Sequence, residues 1–145
     1  MIVYASMYGN TEAAAQNLAA KLCEKGMTNV VLYDVSNTHV SQLISETFRL
    51  SHIVLASVTY NLGIYPLMHN YLMDMKALNL QKRTFAIIEN GSWACKSGSL
   101  MREFIDDMRE MDILDEQVTL MSSMTEDNGS DMDTLADGLI ESMKQ

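Results

Sequence analysis

Five short apolar or β-branched runs recur along the chain, at Ile2–Ala5, Val30–Tyr33, Ile53–Ser57, Phe85–Ile88 and Val118–Met121. They lack polar alternation, so each predicts a strand covered on both faces, as parallel sheets require. Between them lie segments of helical period. Leu100, Phe104, Ile105, Met108 and Met111 form one stripe, and Met132, Leu135, Ala136, Leu139, Ile140 and Met143 form another, both at i, i+3, i+4 spacing. Ala14, Leu18, Ala19 and Leu22 mark a first helix closed by Gly26, Val40 to Phe48 a short one, and Leu67 to Leu78 a fourth. Strand and helix therefore alternate five times, which predicts an α/β fold: a five-stranded parallel sheet between two helical layers. Right-handed crossovers leave few topologies, and the order 2-1-3-4-5 is a common one. Met101, Met108, Met111, Met132 and Met143 fall in or beside the helical stripes, where flexible thioethers fill gaps in a core.

A chain of 145 residues is one domain of ordinary size, able to remove roughly two thirds of its unfolded surface from water. Residues 1–145 are read as that single domain, which can equally be a unit cut from a longer polypeptide. The start carries no basic region and long apolar run of a secretory signal, and no stretch reaches the length of a membrane span. Cys23 and Cys95 have neither CxxC nor metal-type spacing, so a cytoplasmic setting is expected. The formal charge is −9, with 13 acids against 3 bases in residues 101–145 and 6 against 7 before them. That balance argues against nucleic acid. It leaves an acidic surface that can steer a basic partner or simply keep the protein soluble.

In the order 2-1-3-4-5 the loops after strands 1, 3 and 4 meet at the carboxyl edge, where such sheets bind ligands. These three loops are unlike ordinary connectors. The first, Ser6-Met7-Tyr8-Gly9-Asn10-Thr11, leads into a helix and contains no cation. Gly9 permits a tight turn, and the N–H groups of Gly9, Asn10 and Thr11 can face an anion with the helix dipole behind them; the alternative is an ordinary N-cap by Asn10 or Thr11. The GxxxxGK[ST] loop that grips nucleotide triphosphates is absent. In the second, Ser57 to Pro66, Tyr60 offers a flat face and Pro66 opens a helix. Gly63 can take either sign of φ, so a neighbouring peptide can reverse; the plain alternative is a turn with an exposed tyrosine. The third, Glu89 to Ser99, sets the only tryptophan, Trp93, among glycines and serines, either to clamp an aromatic ring opposite Tyr60 or to pack against the domain.

The motifs SMYGNTE, SVTYNLGIYP and ENGSWACKSG resemble those of flavodoxins, closest to the carboxyl-terminal flavodoxin-like domain of A-type flavoproteins, the flavodiiron proteins. The resemblance covers essentially the whole chain and implies a flavodoxin-like three-layer sandwich that binds FMN and carries electrons. It implies that Ser6, Met7, Tyr8, Gly9, Asn10 and Thr11 hold the FMN phosphate. Thr59, Tyr60, Asn61, Gly63, Asn90, Gly91, Ser92, Trp93 and Gly98 would then flank the isoalloxazine. Tyr8 stands where the family commonly has a small hydroxyl residue, and Val58 where a proline is frequent. No acid or base residue is needed, because the ring carries the chemistry.

Lys96 is a cation able to favour a reduced, anionic ring or to point into solvent; Cys95 has little beside Lys96 to lower its thiol pKa. His39, His52 and His69 lack carboxylates at metal-pair spacing, and the iron-binding HxExDH pattern of a flavodiiron enzyme is absent. The domain is thus expected to pass electrons from a flavin reductase or rubredoxin-type donor to a di-iron domain, fused or separate. Three alternatives differ: an FMN-dependent NAD(P)H:quinone reductase on the same fold; a receiver domain, which would need acids where Ala5 and Ser6 stand; and a flavin-free interaction module.

Overall fold

The structure, a computed structural model, describes residues 1–91 and 95–145. The elements in chain order are β1 Ile2–Ala5, α1 Asn10–Glu24, β2 Leu32–Asp34, α2 Val40–Arg49, β3 His52–Tyr60, β4 Gly63–Ile64, α3 Pro66–Ala77, β5 Thr84–Asn90, α4 Ser97–Asp106, β6 Asp112–Leu120 and α5 Glu126–Met143. The main sheet is parallel throughout and ordered β2-β1-β3-β5-β6. Counted without β4, this is the expected 2-1-3-4-5. The sixth strand, β4, is a two-residue piece that pairs antiparallel with the end of β3.

Alternate strand residues enter two different cores. Ile2, Val54, Ala56, Ala86, Ile88 and Val118 pack under α1 and α5, together with Leu18, Leu135 and Leu139. Val3, Ala5, Ile53, Leu55, Phe85 and Ile87 face α2, α3 and α4 through Leu43, Tyr71, Leu72 and Met101. Each fully buried large apolar side chain stabilises the fold by about 1.5–3 kcal/mol relative to exposure. Burial on both faces is why the strands read as continuous apolar runs. Met101, Met108 and Met132 are buried as expected, whereas Met143 is 39% exposed at the end of α5.

Two strands differ from their sequence reading. Pairing of β2 starts at Val31, whose carbonyl accepts from the Ile2 amide, and extends to Asp34 rather than beginning at Val30. β6 begins at Asp112, six residues before the apolar run, because it is the edge strand. Its residues Asp112 to Gln117 are exposed or half-exposed and hold only two apolar side chains, Ile113 and Leu114, too short a run to read as a strand. Between Phe85↔Ile113 and Ile87↔Gln117, β5 advances two residues while β6 advances four, so β6 is bulged there. Among the described residues no helix is long and apolar enough to cross a membrane.

Candidate functional site

β1 delivers the chain to the carboxyl edge at Ala5, and Ser6 to Gly9 turn it into α1. Gly9 is the N-cap residue with φ 89°, a left-handed conformation that glycine adopts without Cβ cost. A Cβ there would meet nothing within 4 Å, so backbone conformation, not space, selects glycine. Ser6 Oγ accepts from the Gly9 amide at 3.0 Å. No side chain caps α1. Asn10 and Thr11, the candidate caps, lie inside the helix, and the Thr11 hydroxyl accepts from Asn90 Nδ2 at 3.3 Å. The first intrahelical bond runs from Ala13 N–H to the Gly9 carbonyl. The amides of Asn10, Thr11 and Glu12 therefore have no acceptor within the helix, and they sit at the positive end of its dipole.

β3 continues to Tyr60, three residues past its expected end, and reverses through Asn61 and Leu62 into β4. Asn61 has φ 48° and Leu62 φ 60°, the two-residue left-handed turn that suits a tight hairpin. The left-handed residues of this turn are Asn61 and Leu62. Gly63 lies in β4 with negative φ, where an added Cβ would make only a 3.4 Å contact with the Tyr60 carbonyl. Tyr60 meets Tyr65 edge-on, ring centroids 6.1 Å apart.

Thr59 reaches across to the third loop. Its hydroxyl accepts from the Lys96 and Ser97 amides at 3.1 and 3.3 Å, and Ser97 Oγ donates to the Ser57 carbonyl at 3.0 Å. The next amide, Gly98, donates to Glu89 Oε2 at 2.8 Å. Glu89 is a buried carboxylate that also accepts from Gln117 Nε2 at 3.1 Å and Thr119 Oγ1 at 2.8 Å. Gly98 is itself buried, and a Cβ would fall 2.3 Å from Glu89 Oε2. Its lack of a side chain thus serves the carboxylate beneath α4. Lys96 is exposed. The Cys95 thiol donates to the Leu120 carbonyl at 3.2 Å. Burial, then the Glu89 charge, raise its pKa, against a smaller lowering by the backbone of Gly91; the sulfur stays a thiol. Ser92 and Trp93 lie outside the described residues.

These loops enclose a cavity of about 290 Å³. Ser6, Met7, Tyr8, Asn10 and Thr11 form one wall and Thr59, Tyr60 and Asn61 another, with Asn90 and Gly91 between. Gly9, Gly63 and Gly98 shape the backbone without lining it. Two further wall residues, Val58 and Ser122, were not among the candidates. Val58, marked in the sequence only as standing where the family often has a proline, belongs to β3. Ser122 follows β6, and nothing in Met-Ser-Ser-Met marks it. No lysine or arginine is among the described residues lining the cavity. Two larger clefts, of about 490 and 460 Å³, run between α3 and α4 and between α2 and α3. Neither is lined by the loops after β1 and β5, and in the first Lys76 is already paired with Asp107 while His69 packs edge-on against Phe104. His39 caps α2 by accepting from the Ser41 amide, and His52 sits between Ser51 and Ser142. Among the described residues no group of three or more His, Cys, Asp or Glu is placed to hold a metal ion.

Fold and cavity together define an open α/β domain whose ligand site lies where the strand order reverses. A family model described as Flavodoxin matches residues 2–111, and the chain belongs to the flavodoxin family. The rubredoxin-oxygen oxidoreductase of Megalodesulfovibrio gigas is 30% identical over 108 residues, covering 74% of this chain and 27% of that protein. The solved rubredoxin oxygen:oxidoreductase from Desulfovibrio gigas superposes with a TM-score of 0.91 at 26% identity, covering 99% of this chain and 35% of that one. A flavodoxin from the domain Archaea (TM-score 0.83, 20% identity, 99% and 97% covered) and the flavodiiron protein from Giardia intestinalis (0.84, 19%, 97% and 36%) share the fold. The chain spans about a quarter of the length of the curated relatives it matches.

Proposed function

We propose that this domain binds FMN in the carboxyl-edge cavity and transfers electrons through it. The observation that carries the reading is the α1 N-terminus: amides without intrahelical acceptors, no side-chain cap, a left-handed glycine, and a cavity directly in front. A phosphate there is neutralised by charge-assisted hydrogen bonds and the helix dipole, without a cation. The residues present fit FMN. Ser6, Asn10 and Thr11 would hold the phosphate, and Tyr60, Asn61 and Gly91 would border the ring. FMN when bound supplies one- and two-electron transfer; the chain's own task is to seat it and keep its edge accessible.

The likeness to the rubredoxin-oxygen oxidoreductase and to flavodiiron proteins supports a finer reading. A rubredoxin-type protein or a flavin reductase would be the donor, and a di-iron oxygen or nitric oxide reductase domain the acceptor. Absorbance of the purified protein and titration of the apoprotein with FMN test the proposal. We expect flavin bands in the visible range and quenching of flavin fluorescence to a one-to-one endpoint. A folded apoprotein that leaves the fluorescence of added FMN unchanged contradicts it.

A further inference from the structure

Asn90 is one of the few buried polar residues of the site, and its amide is already spent on the protein. Nδ2 donates to the Ser122 carbonyl at 2.9 Å and to Thr11 Oγ1 at 3.3 Å, while Oδ1 accepts from the Ser122 amide at 2.9 Å. An Asn side chain has two N–H donors, and both are used. The orientation of the amide is forced, because exchanging O and N would set donor against donor at the Ser122 N–H and acceptor against acceptor at its carbonyl.

The side chain therefore acts as a short piece of β-ladder. The backbone pairing of β5 with β6 ends at Asn90↔Leu120, followed by the Gly91 amide on the Leu120 carbonyl. The Asn90 amide then engages both backbone groups of Ser122. That residue is held at φ 72°, where the chain folds back into the Met121↔Ser123 bridge. The same amide reaches the opposite way to Thr11, in the first turn of α1.

We infer that Asn90 is a positioning residue, a latch that fixes the anion-binding turn of α1 to the loop after β6, and that it does not donate to the flavin ring. The inference rests on the flavin-binding reading for its consequence, though not for its geometry. A latch working through Thr11 holds the phosphate seat, so its loss falls on ligands that carry the phosphate. A ring contact would be felt equally by FMN and by riboflavin, which has the same ring and no phosphate.

The test is Asn90→Ala in the same chain, read by flavin titration and by amide hydrogen exchange of the apoprotein. Losing a buried hydrogen-bonded group weakens the seat it supports by roughly tenfold. FMN affinity is expected to fall by that factor and riboflavin affinity by less than about twofold, while Ser122 amide exchange accelerates at least tenfold. Exchange at Ile88 and Val118 stays unchanged. Equal losses for FMN and riboflavin, or an unchanged Ser122 amide, overturn the latch. Should Asn90→Ala not fold, Asn90→Leu fills a similar volume, adds no charge and removes both donors and the acceptor. It is expected to release the Ser122 amide to exchange and to lose the preference for FMN, and an intact preference overturns the proposal. If the parent binds neither flavin, the functional reading fails, and Ser122 exchange still decides the latch.

Discussion

All five helices start at the carboxyl edge of the sheet, and the N-termini of α1, α4 and α5 are treated in two different ways. α5 is closed locally: Thr125 and Asn128 form a reciprocal capping box, with Glu126 and Asp127 in the first turn. α4 is closed from across the sheet, by the Thr59 hydroxyl on Lys96 and Ser97 and by the buried Glu89 carboxylate on Gly98. α1 is left open in front of a cavity. Each helix exposes the same kind of amides and the same dipole; what differs is whether the chain supplies the acceptor itself. The two closed ends are structural, and the open one is the proposed anion seat.

Removing Glu89 should have the largest effect. Glu89→Ala strands the buried Gly98 amide and takes an acceptor from the half-buried Gln117 and the exposed Thr119, and is expected to cost about 2 kcal/mol in urea unfolding; a loss below about 0.5 kcal/mol would mean that α4 does not depend on its carboxylate. The open end should respond in the opposite sense. Asn10→Asp keeps size and shape but places a negative charge in the first turn of α1, which favours the helix by about 0.5 kcal/mol and repels a phosphate. Apoprotein stability should hold or rise while FMN affinity drops about 100-fold. If affinity and stability fell together, the comparison would break.

Thr125→Ala removes a cap that does not line the cavity and should cost about 1 kcal/mol of stability without changing FMN affinity. The smallest effect concerns the hairpin beside the cavity. Leu62 holds φ 60° with its side chain 70% exposed, so Leu62→Gly should stabilise the apoprotein by about 0.5 kcal/mol, the relief of strain exceeding the entropy gained by the unfolded chain. Thermal unfolding of the apoprotein checks it, and a destabilised variant would show that Leu62 carries packing that outweighs its backbone strain.

The sheet order and all five helices were readable because strands buried on both faces and helices with one apolar stripe print their burial into the sequence. β6 was only half readable, since an edge strand needs no apolar run. The hairpin was hidden because Leu62 occupies a position where glycine is usual. At the site, hydroxyls, amides and glycines in three loops pointed to the edge of the sheet where the structure sets the cavity. Their individual tasks were not legible. Thr59 caps a helix thirty-seven residues on, Gly98 makes room for Glu89, and Ser122 enters through its backbone alone, which no side chain announces. Such roles depend on pairings between strands distant in sequence, and only the register reveals them.

Whether the uncapped turn of α1 is an anion seat is decided most directly by titrating the apoprotein in parallel with FMN and with riboflavin. Two or three charge-assisted hydrogen bonds from backbone amides should make FMN bind about 100-fold tighter. Equal affinity for the two would show that nothing at the start of α1 holds a phosphate, and the open helix end would then need another explanation.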